Sequence, residues 1–305
     1  MEKKKTEPKS AIGAVYMFLL LAIIFGGYHI TQEYLNLQGA QRIVTHSLAE
    51  SGGDGLYADN SIIGKDESLD FASKYYFKGE NVNNYFWYDN HCFLIMSINN
   101  NDTLKVVHIG TTADESCQDV KEVNKQMPFS TSRNNSWTQS NIYSLLNDFE
   151  EEEKLFDEKI NLDVFVEGDW YSGMVDSNSQ KDMLDHISDE RNSTYTSKIG
   201  IITLSEYLKA SSGVVLGYGS DQVPSGNYLF RDKSFWTMSA DRDGTERVFG
   251  VTKASELPEF SKNDKSISRV IYADTETYTI YPALYLNSGF NYSGTGTPES
   301  PYKIK

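Results

Sequence analysis

Hydrophobic positions are unevenly distributed along the chain, and their longest run lies near the N-terminus. Residues 11–31 contain no Asp, Glu, Lys or Arg, whereas residues 1–10 carry four lysines against two glutamates. About twenty apolar residues, each adding roughly 1.5 Å of helix, cross a hydrocarbon core of about 30 Å. The lysines precede the apolar run, so the positive-inside rule leaves the N-terminus in the cytoplasm. The pattern predicts a basic cytoplasmic tail (1–10), a transmembrane helix (11–31) in the cell membrane and an extracellular remainder.

A cleaved signal peptide is the alternative interpretation of this start, because it also combines basic residues with an apolar run. Here the apolar run is longer than the core of a usual signal peptide. Its exit, from Gly26 to His29, offers no clean small-x-small cleavage site. An uncleaved, single-pass anchor is therefore the prediction.

Residues 32–50 keep apolar side chains at helical spacing beyond the membrane, which predicts an amphipathic helical stalk. These side chains are Tyr34, Leu35, Leu37, Ala40, Ile43, Val44 and Leu48. The same face could pack against other copies of the chain and so form a homo-oligomer. Glycines and serines from Ser51 to Gly55 end the helix, and residues 51–73 are predicted to be a linker.

From residue 74 the pattern changes to short runs of aromatic and β-branched residues, which predict strands. The predicted strands are Tyr75–Phe77, Tyr85–Tyr88, Cys92–Ile98, Leu104–Ile109, Lys198–Thr203, Ser234–Met238, Arg247–Val251, Val270–Tyr272 and Thr277–Leu286. The polar run Asn99–Asp102 between two of them has the composition of a hairpin turn.

Helical patterns interrupt these strands. They predict a helix capped by Ser140 that continues through Phe156, a weaker helix at Lys181–Ile187 and a short helix at Leu204–Ala210. Strands on both sides of central helices predict an α+β fold over residues 74–305, with a mixed or antiparallel sheet whose terminal strands pair. Regular alternation of strands and helices is missing, which argues against a purely parallel sheet.

The net charge of −15 narrows the range of partners, although the first ten residues are themselves net positive. An acidic domain is repelled by phosphate backbones, because binding them requires clustered Lys and Arg. Nucleic acid is therefore not expected as a partner. The acidity is most simply explained by the solubility of a secreted domain.

Cys92 and Cys117 are the only cysteines of the chain. An even count fits an oxidising compartment, yet two cysteines allow one bridge and no disulfide scaffold. The strands between Phe86 and Gly110 could bring the two positions together. A Cys92–Cys117 disulfide and two free buried thiols both remain open.

Motifs for catalysis or cofactor binding are absent from the sequence. The five histidines lack zinc-site spacing, no Gly-x-Ser-x-Gly elbow occurs, and no phosphate-binding loop occurs. One turn could gather oxygen ligands for calcium through Asp241, Asp243 and Glu246, although its spacing is not that of an EF-hand. The sequence thus predicts no catalytic residue, no cofactor and no metal apart from that weak calcium candidate.

Several spaced segments resemble a domain of unknown function that is common in surface proteins of Firmicutes. The matching segments are Tyr75–Tyr85 with His91–Ile95, Gly168–Gly173, Lys198–Ile201 with Ser205–Tyr207, Phe235–Ser239, Tyr281–Leu286, and Ser293–Thr297 with Ser300–Tyr302. Phe93 and Leu94 depart from the pattern, since they stand where this family usually has Trp and Arg. The resemblance covers about residues 74–305.

That family is similar to Fibrobacter-type major paralogous domains and to C-type-lectin-like folds, which implies a looped α+β domain with close termini. The resemblance carries over no catalytic residue. Instead it implies structural roles for Trp170, Gly200, Trp236, Pro282, Pro301 and Tyr302.

These features together predict a membrane-anchored bacterial surface protein whose lectin-like domain binds a glycan or a protein and performs no catalysis. A pilin-like filament subunit, assembled through the N-terminal helix, is the alternative. The chain departs from that pattern because it has no Gly-Phe-Thr-Leu-x-Glu leader. An enzyme acting on cell-wall polysaccharide is a third hypothesis, because the separation of a glycosidase carboxylate pair is spatial and does not appear in a sequence.

Overall fold

The computed structural model describes residues 39–50, 52–61, 64–147, 154–155, 158–176, 189–216, 222–259, 261 and 263–305. The predicted tail (1–10), the transmembrane helix (11–31) and the first part of the stalk lie outside the described residues. The predicted helix at Lys181–Ile187 lies outside them as well. None of the helices within these ranges has the length and apolarity needed to cross a membrane.

The described residues form mostly strands with few helices, which confirms a sheet-rich α+β architecture. The helices are α1 (Ala40–Ser47), α2 (Asn141–Asn147) and α3 (Leu204–Lys209), with single 3₁₀ turns at Trp137–Gln139 and Ala254–Glu256. The first strands are β1 (Gly55–Ala58), β2 (Ser73–Lys78), β3 (Tyr85–Tyr88), β4 (His91–Asn99), β5 (Leu104–Thr111), β6 (Gln126–Met127), β7 (Lys154–Leu155), β8 (Glu158–Lys159), β9 (Phe165–Val166), β10 (Gly168–Tyr171) and β11 (Met174–Val175). The later strands are β12 (Thr194–Ser197), β13 (Ile199–Gly200), β14 (Gly213–Leu216), β15 (Gln222–Ser225), β16 (Phe235–Asp241), β17 (Arg247–Lys253), β18 (Ser266–Tyr272), β19 (Tyr278–Thr279), β20 (Ala283–Leu286), β21 (Tyr292–Ser293) and β22 (Lys303–Ile304).

The first sheet runs β1-β2-β4-β5-β20-β13, with β3 added to β4 and β9 added to β20. Its centre, β4, is buried along its whole length because the apolar run Cys92–Ile98 leaves neither face suited to water. The polar turn after it closes the predicted hairpin with β5, and Asp102 adopts a positive φ of 60° there. β20 pairs with β5, so a strand near the C-terminus closes against the N-terminal meander.

The second sheet runs β14-β15-β18-β17-β16-β19-β6. Most of its pairs are antiparallel, but β11 and β19 both run parallel to β16. Trp236 on β16 is 1% exposed and Phe235 beside it is equally buried. A mixed sheet was predicted, and this sheet is mixed.

Residues 39–50 are the described part of the predicted stalk (32–50), and α1 covers Ala40–Ser47 of them. Gly39, immediately before α1, has φ 59° and ψ −147°, which no helix accommodates, and α1 ends at Ser47. Ile43 and Val44 are buried in the core of the sheet domain, whereas Leu48 is 57% exposed. Within the described part, the amphipathic face therefore packs on the chain's own domain.

The predicted linker (51–73) is wrong in part. Residues 55–58 form β1, which pairs with β2 in the register Leu56 with Phe77. Leu56 is 1% exposed, so its burial outweighs the local glycines and aspartates that suggested a linker. The folded domain begins before residue 74.

Of the two predicted helices that can be compared, one is confirmed and one is too long. Thr203 and Glu206 form a reciprocal capping box at the start of α3, close to the predicted bounds. Ser140 does accept a hydrogen bond from the Tyr143 amide at the start of α2. However, Leu155 belongs to β7, which pairs with β8, so that helix does not extend through Phe156.

Candidate functional site: a groove where the second sheet opens

Pro224 in β15 interrupts the second sheet. β15 and β18 pair only at Gln222 and Ser268, and the same register would next place Pro224 opposite Ser266. Proline has no amide hydrogen to donate, so the ladder cannot continue at that point. Pro224 and Ser266 instead line the two sides of a groove.

The groove has a volume of about 630 Å³. Its walls contain three aromatic side chains, Tyr85 from β3, and Tyr228 and Phe230 from the loop after β15. Residues of both sheets thus contribute to it. The Tyr228 amide donates a 2.8 Å hydrogen bond to the Gly79 carbonyl, which fastens the loop of the second sheet to the first.

Asn227 fixes the shape of this loop. Its side-chain amide donates to the Tyr207 carbonyl and to the Ser211 hydroxyl, both at 2.7 Å, and its oxygen accepts from the Leu229 amide at 2.9 Å. All three contacts are buried, so the loop presents its aromatic side chains from a rigid base.

Charged side chains of both signs surround the groove, and most of them are paired. Lys253 bonds Asp232 at 2.8 Å, and Lys265 pairs with Glu80. Arg231 is half-buried, lines the groove and makes neither a hydrogen bond nor an ion pair with any described residue. Asp264 also lines the groove, and its carboxylate accepts a 3.1 Å hydrogen bond from the Ser261 amide. The groove therefore offers one guanidinium without an ion pair.

Two buried tyrosine hydroxyls lie beside the groove. The Tyr207 hydroxyl bonds the Ser266 hydroxyl at 2.7 Å, whereas the Tyr228 hydroxyl has no partner among the described residues. Burial raises the pKa of Tyr207 and of Tyr228 above the usual range. Both side chains therefore stay neutral at physiological pH.

A second cavity, of about 480 Å³, lies near Trp137, Asp189 and Arg242. Its two opposite charges bond each other, since the Arg242 guanidinium lies 2.9 Å from the Asp189 carboxylate. That pairing leaves the second cavity less ready than the groove to receive a charged ligand.

Glu190 is the most perturbed carboxyl of the interior. Burial raises its pKa to about 7, against hydrogen bonds from the Ser239 hydroxyl and the Ser205 amide. A carboxyl with such a pKa could move a proton. The cavity it lines is only about 50 Å³, which holds a few water molecules and no organic substrate.

The buried histidines form a chain of hydrogen bonds. His91 Nδ1 lies 3.0 Å from His108 Nε2, and the outer nitrogens bond the Lys159 carbonyl and the Asn124 side chain. Burial lowers the pKa of His91, and burial with the neighbouring His91 lowers that of His108 to about 3. Both rings are buried between β4 and β5 and make hydrogen-bond contacts through both nitrogens.

The structure does not gather the calcium candidates Asp241, Asp243 and Glu246 into a metal site within the described residues. Asp241 is fully buried and bonds the Arg247 guanidinium at 2.6 Å, and Glu246 faces Arg133 at 3.8 Å. No group of three His, Cys, Asp or Glu side chains within the described ranges could hold a metal ion. The turn is instead held by Asn135, whose amide donates to the carbonyls of Asp241, Gly244 and Arg247.

Cys92 and Cys117 form a disulfide in the structure, with their Cα atoms 5.8 Å apart. The bridge ties the loop after β5 to buried β4. Both residues are almost fully buried, at 0% and 3% exposure.

Two of the motif residues meet in the core. Trp170 donates from its indole nitrogen to the Ser197 carbonyl and lies 4.7 Å from the Tyr285 ring. Any Cβ at Gly200 would overlap the Trp170 ring, with carbon atoms only 2.6 Å apart. The glycine is therefore required for the indole to fit.

The remaining motif residues are also buried. Trp236 donates to the Met127 carbonyl at 2.9 Å, and the Pro282 carbonyl accepts from the His108 amide at 2.8 Å. Pro301 lies against Gly294, and a Cβ added at Gly294 would collide with the Pro301 carbonyl oxygen. Tyr302 is completely buried and exchanges backbone hydrogen bonds with β3.

None of the groove residues was predicted from the sequence to bind a ligand, although Glu80 and Tyr85 lie in the matching segment Tyr75–Tyr85. A proline inside a strand pattern is a recognisable signal for an interrupted ladder, but the strand at Gln222–Ser225 was itself not predicted. Lys253 and Lys265 each pair with a carboxylate, whereas Arg231 has no ion pair among the described residues. This difference depends on tertiary contacts that no local pattern reveals.

The chain matches no known protein family, no curated protein and no solved structure.

Proposed function

We propose that the chain is a membrane-anchored bacterial surface protein whose sheet domain binds an external glycan or protein segment and performs no catalysis on it. The observation that carries this proposal is the groove at Pro224. Ligand sites are typically concave, with volumes of about 300–1,000 Å³, apolar walls and a few well-placed polar groups. The groove, at about 630 Å³ with three aromatic walls and charges of both signs, has these properties.

The anchor part of the proposal rests on residues 1–31, where a basic tail precedes an uncharged apolar run. It rests on the sequence alone. The resemblance of residues 74–305 to surface domains with a C-type-lectin-like fold supports the same function.

The contacts of α1 favour a surface receptor over the filament subunit. Ile43 and Val44 are buried against the chain's own domain, and the Ser47 hydroxyl lies 2.9 Å from that of Tyr302. In a filament, such an apolar face would have to remain available for neighbouring subunits.

The acids of the groove favour binding over hydrolysis. A glycosidase requires two carboxyl groups free to act as acid and as base or nucleophile. Three acids line the groove, and two of them, Glu80 and Asp232, are each paired with a lysine. Asp264 is then the one groove acid without an ion pair among the described residues, whereas hydrolysis needs two.

A binding panel tests the proposal. The full chain, extracted in detergent, is presented with neutral and acidic oligosaccharides and with peptides, and compared with Ser255→Trp, which fills the groove from its exposed rim. We expect wild-type binding that Ser255→Trp abolishes, with every bound oligosaccharide recovered intact by mass spectrometry. Binding that survives Ser255→Trp, or recovery of cleaved products, would contradict the proposal.

A further inference from the structure

We infer that the groove selects an anionic saccharide, whose carboxylate or phosphate bonds Arg231 while its ring lies against Tyr85 and Phe230. This inference rests on the proposed function, because it names the ligand class of the same groove. It adds a requirement that the general proposal does not contain: the ligand must carry a negative charge.

Arg231 is the one cation of the groove without an ion pair among the described residues. Every lysine of the groove is neutralised by a carboxylate, whereas the Arg231 guanidinium has no hydrogen bond or ion pair within the described part of the chain. A guanidinium presents a planar fork of donors that matches carboxylate and phosphate oxygens in a bidentate arrangement. In a half-buried wall, an unpaired cation is costly until such a partner arrives.

The positive charge of Arg231 contrasts with the net negative charge of the whole protein. A net charge of −15 repels anions in general, so binding an anion requires a local cation that is not already neutralised. The groove provides one such cation inside a concave, aromatic-walled site. The surrounding acidity discourages anions from binding elsewhere on the surface.

The aromatic walls and polar rim of the groove suit a saccharide better than a peptide. A sugar ring has an apolar face for an aromatic wall, and its hydroxyls both donate and accept hydrogen bonds. The paired lysines and carboxylates of the rim supply both kinds of partner. Extended peptides usually bind by adding a strand to a free sheet edge, whereas β15 and β18 lie inside the sheet, each between two other strands.

Matched ligands test the charge requirement. Affinities of the full chain in detergent are measured for tetragalacturonate, for its neutral methyl ester, for phosphorylated maltotetraose and for unmodified maltotetraose. We expect at least one acidic form to bind about tenfold to a hundredfold more tightly than its neutral counterpart, the range expected for a charged hydrogen bond. The two acidic ligands distinguish a carboxylate source from a phosphate source.

Two arginine variants localise the effect. Arg231→Gln should abolish the preference, because the acidic form then binds no more tightly than its neutral counterpart. Arg133→Gln is the matched control: it removes the same charge from an exposed arginine that pairs with Asp274 and does not line the groove, and should preserve the preference.

The outcomes separate this inference from the proposed function. Equal affinities for acidic and neutral forms, both lost in Ser255→Trp, would overturn the charge requirement while leaving a ligand-binding groove. A preference that persists in Arg231→Gln would also overturn it. An acidic peptide that binds more tightly than every oligosaccharide would replace the saccharide by a protein ligand, and absence of any groove-dependent binding would overturn both proposals.

Discussion

Tyr207 and Tyr228 are two buried tyrosines beside the groove that differ in whether the hydroxyl has a partner. Tyr207→Phe removes the bond to Ser266 and leaves that hydroxyl unpaired, so we expect a loss of about 1–3 kcal/mol in the free energy of unfolding. Tyr228→Phe removes a hydroxyl without a partner among the described residues, and stability should stay unchanged or rise by about 1 kcal/mol. Urea denaturation of both variants measures the difference. Equal destabilisation would contradict the assigned contacts.

Glu190 makes the stability of the fold decrease as pH rises, and the Glu190→Gln variant removes this dependence. Its pKa rises from the usual 4.5 to about 7 on folding, so the folded state holds a proton that the unfolded chain releases between those values. Its contribution is fully present below pH 4.5 and is lost as pH rises to about 7. Relative to wild type, Glu190→Gln should therefore gain roughly 1.4 kcal/mol per pH unit across that range.

His108 has the opposite effect on how stability changes with pH. Its pKa falls from 6.5 to about 3 on folding, so its contribution is present above pH 6.5 and is lost as pH falls. Between pH 4.5 and 6.5 the two groups offset each other in wild type. Urea denaturation of wild type and Glu190→Gln at several pH values tests this, and a difference between them that does not change with pH would contradict the burial of a protonated Glu190.

At the scale of single elements, Pro224 is the residue on which the groove depends. Pro224→Val restores an amide hydrogen opposite Ser266, so β15 and β18 can extend their ladder and narrow the opening. We expect weaker ligand binding together with slow hydrogen exchange at the amide introduced at position 224. Fast exchange there, with binding unchanged, would show that the groove does not depend on the proline.

The elements that the sequence predicted well are those with strong local signals. The hairpin between β4 and β5 follows from two apolar runs around a polar turn, and α3 follows from its capping residues. β1 was missed because glycines and aspartates dominate its surroundings and only its pairing with β2 makes it a strand. The α1 boundary depends on one glycine conformation, φ 59° at Gly39, that composition does not reveal.

The candidate site was less predictable than the fold. Trp170 and Trp236, which the resemblance implies to be structural, are both buried and hydrogen-bonded to backbone carbonyls. Two of the calcium candidates, Asp241 and Glu246, lie beside Arg247 and Arg133, and these neighbours are not apparent from the sequence. Arg231 became notable only once the partners of Lys253 and Lys265 were known, which is tertiary information.

For the whole molecule, the distribution of charge predicts its orientation in the membrane. Four lysines precede the apolar run, so residues 33–305 are expected outside the cell. Protease treatment of intact cells should remove the domain while a cytoplasmic control protein stays intact. Protection of the domain until the cells are lysed would contradict this orientation.

The most direct test of the account maps where a ligand binds on the intact protein. Amide hydrogen exchange is measured on the full chain in detergent, with and without saturating acidic oligosaccharide. The account predicts slower exchange at residues 226–232 and 253–266, which border the groove, and no change in Arg231→Gln at the same ligand concentration. Slower exchange at residues 135–138 and 189–195 instead, around the second cavity, or unchanged exchange throughout, would contradict it.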